Sequence, residues 1–143
     1  MRLTQRSVPQ TAPLRLAPDL QAALACEDVK LDANGFSSIV GVIHSLAAPA
    51  MPVRIARLCV LTRWAVGCGK FVQRVRLLTP DMEKELAWAD AQFEMQESDT
   101  HSTQVAFFGW VECPQFGDYP IEVLLDGELK IRFPLRIVRM DYK

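Results

Sequence analysis

Four arginines, Arg57, Arg63, Arg74 and Arg76, fall within two apolar, alternating runs, "RLCVLTRWAVG" and "KFVQRVRLL". Guanidinium groups gathered on one face would hold a phosphate-bearing ligand or an acidic protein surface through forked hydrogen bonds. The plainer alternative is a solvated sheet face with the arginine stems lying along it. The other reactive residue types are spaced too poorly for chemistry. A nucleophile pair or zinc site needs His44 or His101 beside a cysteine or carboxylate, and no HExxH, CxxC or His-x-His spacing occurs. Cys26, Cys59, Cys68 and Cys113 are widely separated and read as reduced thiols. Glu27, Asp28 and Asp32 form one acidic cluster, and Asp81 to Asp99 holds seven acids against one lysine. Paired carboxylates could hydrolyse glycosides or bind calcium, but no EF-hand spacing is present, and solvated strand faces and loops account for them better. The glycines form neither phosphate-binding nor dinucleotide fingerprints. Trp64, Trp88 and Trp110 could make a stacking platform for sugars or bases. Packing is the favoured reading, with Trp64 expected in the core. No residue is therefore assigned a catalytic, metal or cofactor role.

The elements that must carry the arginines follow from composition and periodicity. The chain has 143 residues, half of them hydrophobic, 23% charged, and a net charge of -1. That suits one globular domain with a sizeable core, and it disfavours nucleic acid as a partner. No apolar run is long enough to span a membrane, and the N-terminus lacks the apolar centre of a secretory signal, so a cytoplasmic protein is expected. Residues 1–19 read as a basic, proline-containing arm, with Arg2, Arg6 and Arg15 and with Pro9, Pro13 and Pro18 against a helix. The arm is expected to lie on the acidic 81–99 segment of its own or a neighbouring subunit. Residues 20–143 read as eight strands, near 20–31, 36–47, 53–66, 69–79, 86–96, 103–113, 118–125 and 128–139. Short strands at that spacing predict an all-β chain, an antiparallel sandwich of about seven or eight strands. "MEKELAWADAQFEM" mixes helix formers with an alternating pattern. The alternation of Ala87, Ala89, Ala91, Phe93 and Met95 favours a strand, with a helical turn or two after Asp81 as the alternative.

Two hairpins have a testable register. Around Asp126-Gly127, a three-residue loop pairs Val123 with Leu129, Ile121 with Ile131 and Tyr119 with Phe133. It sets Glu122 opposite Lys130 and puts Gly127 at positive φ. Around Gly67-Cys68, a two-residue loop pairs Trp64 with Phe71, Val60 with Val75 and Leu58 with Leu77, with Thr62 against Gln73 as a flaw. That second hairpin is what would gather the four arginines on one outer face, and it puts Cys68 at an exposed tip.

Three stretches, "ACEDVKLDANGFSSIVGVI" (25–43), "FVQRVRLLTPD" (71–81) and "FGDYPIEVLLDGEL" running into "PLRIV" (116–138), resemble an uncharacterised bacterial family, a domain of unknown function. The resemblance implies a compact, immunoglobulin-like β-sandwich and no activity, so no functional residue is carried over. Met82 stands where that pattern leads one to expect a turn glycine. Tyr119 resembles a tyrosine corner, whose phenol anchors a connection by bonding backbone. The expected function is a non-catalytic protein-interaction or self-associating module. A carbohydrate- or anion-binding sandwich is the alternative, with an enzyme third.

Overall fold

A computed structural model describes residues 15–141. The arm as far as residue 14 lies outside the described residues, as does its expected contact with the acidic segment. Alternation of apolar and polar residues produces nine strands and, among the described residues, no helix: β1 (Asp19–Leu31), β2 (Ser37–Ile43), β3 (Ser45–Ala48), β4 (Val53–Ala65), β5 (Gly69–Leu78), β6 (Glu85–Met95), β7 (His101–Cys113), β8 (Gly117–Leu125) and β9 (Glu128–Arg139). They form a four-stranded sheet, β2-β1-β4-β7, and a five-stranded sheet, β3-β9-β8-β5-β6. The ambiguous segment is strand β6, with Ala87, Ala89, Ala91, Phe93 and Met95 turned inward as the alternation predicts.

The core lies between the sheets. Leu58, Val60 and Trp64 of β4 join Phe71, Val75 and Leu77 of β5, Ile121 and Val123 of β8, and Leu135 and Ile137 of β9 in one buried cluster. Trp64 stacks on Phe93 at 6.1 Å between centroids, and Phe71 tilts against the same ring at 5.7 Å, so aromatic contact ties the two sheets together.

Three expectations are corrected. The 36–47 run is two strands, not one. After β2 the chain crosses at His44 to the other sheet, where β3 runs parallel to β9, so the pairing is not wholly antiparallel. Second, β4 and β5 do not form a hairpin. They belong to different sheets, and residues 66–68 arch between them. Trp64, Val60 and Leu58 still point toward Phe71, Val75 and Leu77, but across the core. The Thr62–Gln73 flaw is resolved: the Gln73 side-chain carbonyl accepts from the Trp64 indole at 2.8 Å and from the Thr62 hydroxyl. Gly67 serves packing, since a Cβ there would lie 2.7 Å from the Pro18 Cβ. Cys68 is no free tip, because its backbone N–H and C=O both bond Leu16.

Third, the β8–β9 register differs by two residues. The loop is Asp126-Gly127 alone, both at positive φ as a type I′ turn requires. Leu125 faces Glu128, Lys130 bulges out, and beyond it Val123 pairs with Ile131, Ile121 with Phe133 and Tyr119 with Leu135. Asp126 fixes this turn by bonding Val72 of β5 twice, through its backbone N–H (2.8 Å) and its carboxylate (2.9 Å). Gly127 has positive φ, as expected. Met82 also adopts positive φ (65°), the geometry that accounts for the glycine expected there.

Candidate functional site

The arch separates the four arginines. Arg57 and Arg63 lie on the outer face of the four-stranded sheet, Arg74 and Arg76 on the outer face of the five-stranded sheet. They make no single cationic face.

On the five-stranded sheet the arginines are consumed by carboxylates. Arg74 forks onto Asp90 at 2.7 and 2.9 Å and covers the Trp88 ring at 4.6 Å. Arg76 and Arg132 flank Glu122, one on each carboxylate oxygen, with Nε donors at 2.7 Å. Glu122 was expected opposite Lys130 in solvent. It faces Arg132 and is 1% exposed. Burial pushes its carboxyl upward, but the bonds from Arg132 and Arg76 outweigh burial and hold it below the ordinary glutamate value. Arg15 pairs with Asp126 rather than with an acid of the 81–99 segment, and its guanidinium lies over Phe71. Arg74, Arg76, Arg132 and Arg15 each have a carboxylate partner, which disfavours their capture of a further anion.

The four-stranded sheet is built differently. The registers place Val42, Cys26, Cys59 and Phe107 side by side across all four strands, with Leu24, Leu61 and Val105 in the next row. Cys26, Cys59 and Leu61 are buried without belonging to the core between the sheets. Val42 is 59% exposed and Phe107 47%. Arg57 closes one end of this apolar strip, bonded to Asp28 at 2.8 Å with its guanidinium 4.7 Å from the Phe107 centroid. That bond first, and a backbone N–H from Val29, hold the Asp28 carboxyl below the usual range. Arg63 stands at the other end, with no carboxylate partner among the described residues. There a groove of about 360 Å³ runs between Leu24, Leu61, Arg63 and the Phe36 tip of the β1–β2 hairpin. No local pattern in the sequence shows that β1 and β7 extend Cys59 and Leu61 into a continuous apolar face.

The remaining candidates are dispersed. Trp64 is buried, Trp88 and Trp110 lie in different sheets, and no common platform collects them. His44 sits at the crossover and His101 opens β7. All four cysteines are free. Cys26 faces Cys59, and burial raises both thiols, while burial pushes Cys113 up to about 11. Tyr119 is buried and its phenol donates to the Gln115 carbonyl at 2.6 Å and accepts from the Gln115 N–H at 3.0 Å, the anchoring role expected of it. Among the described residues, no helix is long and apolar enough to cross a membrane.

Two facing sheets, an apolar outer strip and paired charges define an all-β chain. Residues 21–138 match the family of unknown function DUF6941, and the chain belongs to that family. No curated protein matches it.

Proposed function

We propose that the protein is a non-catalytic interaction module, a cytoplasmic immunoglobulin-like sandwich whose contact surface is the outer face of the four-stranded sheet. One observation carries this reading. Val42, Val105 and Phe107 are exposed apolar residues of one outer face, flanking the buried Cys26, Cys59 and Leu61, and are bounded by Arg57–Asp28 at one end and Arg63 at the other. An apolar centre with a charged rim is the anatomy of a protein contact. The opposite outer face is a lattice of ion pairs and lacks such a centre.

A photo-crosslinking side chain at position 107 tests the proposal, with position 72 on the opposite face as control. Both positions are exposed. Polypeptide adducts are expected at 107 and not at 72. Equal yields at the two positions would sink the reading. A second reading, an anionic small ligand, is favoured only by Arg63 in its groove. It expects saturable binding that Arg63→Gln abolishes.

A further inference from the structure

In an antiparallel ladder, directly opposite residues turn their side chains to the same face, with Cβ atoms about 4.5–5.5 Å apart. Cys26 of β1 lies directly opposite Cys59 of β4, and the register runs without a shift from Ala22 to Cys26. The two thiols therefore stand side by side on the outer face, in the row that Val42 and Phe107 continue. Both are free, and they are 0% and 2% exposed. The other two cysteines are placed differently: Cys68 faces Leu16, and Cys113 faces Val53.

A disulfide requires Cα atoms about 4.4–6.8 Å apart and Cβ atoms about 3.5–4.5 Å apart. The Cα spacing of an opposed antiparallel pair, about 4.5–5.5 Å, falls within that range. A small approach of the two side chains is enough to join them. Packing accounts for small buried side chains at both positions, but not for the cation beside one of them. Arg57, bonded to Asp28 at 2.8 Å, reaches Cys59 as well. Burial is the first influence on the Cys59 thiol and raises it, while the Arg57 guanidinium opposes that rise. Burial raises Cys26 too, and neighbouring Cys59 raises it further. Cys59 is thus the sulfur placed to lose its proton first.

We propose that Cys26 and Cys59 are a redox pair, which a hydroperoxide closes into a disulfide stapling β1 to β4. The Cys59 thiolate attacks one peroxide oxygen. The O–O bond breaks, hydroxide leaves and takes up the thiol proton as water, and a sulfenic acid remains. The Cys26 sulfur then attacks the Cys59 sulfur. The S–S bond forms, the S–O bond breaks, and the second hydroxide leaves as water with the Cys26 proton. Two thiols and one peroxide give a disulfide and two waters, so the sulfurs lose two electrons and the peroxide gains them. Burial keeps bulky reagents out but not hydrogen peroxide, which is little larger than water. A buried, protonated thiol makes the first step slow.

The test treats the full, folded chain with hydrogen peroxide, alkylates the remaining thiols in denaturant and maps the peptides by mass spectrometry without reductant. The expected product is a single chain lighter by two hydrogens, with one disulfide, Cys26–Cys59, that a dithiol reductant removes. In Cys26→Ala, Cys59 has no partner and should stop at the sulfenic acid, captured by a cyclic-diketone probe. The oxidised parent should unfold at a higher urea concentration than the reduced one, because closing residues 26–59 into a loop restricts the unfolded chain. Cys26 and Cys59 that stay reduced under peroxide overturn the pair. So does oxidation of either to the sulfinic acid without the link, or a mixture of disulfides like that from the urea-unfolded chain. Capture of Cys26 in Cys59→Ala as fast as that of Cys59 in Cys26→Ala overturns the role given to Arg57. An oxidised chain that unfolds before the reduced one overturns the preformed geometry.

Discussion

Glu122 lies on the outside of a sheet and is still withdrawn from water, held between Arg76 and Arg132. Its pairing determines a pH dependence. A carboxyl held below its unfolded value contributes stability that is complete above that value and is lost as pH falls through the folded one. Acid unfolding should therefore steepen below about pH 4. Glu122→Gln should flatten that limb and cost about 2 kcal/mol near neutrality, read from urea melts at several pH values. An acid limb unchanged in the variant would show that Glu122 titrates as an ordinary carboxylate. Tyr119 makes a similar prediction without pH. Tyr119→Phe removes both bonds to Gln115 and should cost about 1–2 kcal/mol, measured by the same melts. Among the thiols, Cys68 is the half-exposed one. It should react first with a disulfide reagent in the native state, while buried Cys26, Cys59 and Cys113 wait for unfolding. Rapid native labelling of Cys26 or Cys59 would contradict their burial.

At the scale of elements, strand positions were legible and partnerships were not. Alternation fixes which face a residue occupies, and β6 shows this: Phe93 and Met95 point inward despite a composition that suits a helix. Alternation does not say which strand lies alongside. Trp64 and Phe71 converge equally in a hairpin and across a core, so β4 and β5 read as paired when they face each other. The sign that separated the two cases was Thr62 against Gln73, a poor neighbour pair in one sheet but a good hydrogen bond between two. The arginine face was lost through this single error. The β8–β9 register slipped by two residues for the same reason, because a shift of two keeps every side chain on its face. What fixes it is Asp126 on Val72, a contact with a third strand that no local pattern contains. The apolar face of the four-stranded sheet was hidden likewise, since its rows draw on residues more than sixty positions apart in the chain, such as Val42 and Phe107. The turn itself was legible from Asp-Gly. Gly127→Val should destabilise by about 1 kcal/mol or more, because a β-branched residue resists φ of 85°. A melt unchanged by that variant would contradict the turn geometry.

Over the whole molecule, neither sheet is assembled from neighbouring segments alone. β1 meets β4, β4 meets β7, β5 meets β8, and β3 meets β9. Such non-local pairing slows folding relative to a meander of hairpins. β9 is the extreme case. It is β3's neighbour in the sheet, it borders β8, and it supplies Leu135 and Ile137 to the core. Removing residues 128–143 should leave a chain without cooperative thermal unfolding. A truncated chain that still melts cooperatively would show that the first eight strands form a core without it. The parallel β3–β9 contact also bears on protein synthesis. β3 leaves the ribosome long before its partner strand β9 is made, and Tyr119, Ile121 and Val123 follow it with their outer neighbour still untranslated. The nascent chain therefore carries an open five-stranded half until β9 is translated, and for that interval it depends on dilution or a chaperone to keep apart from its own copies.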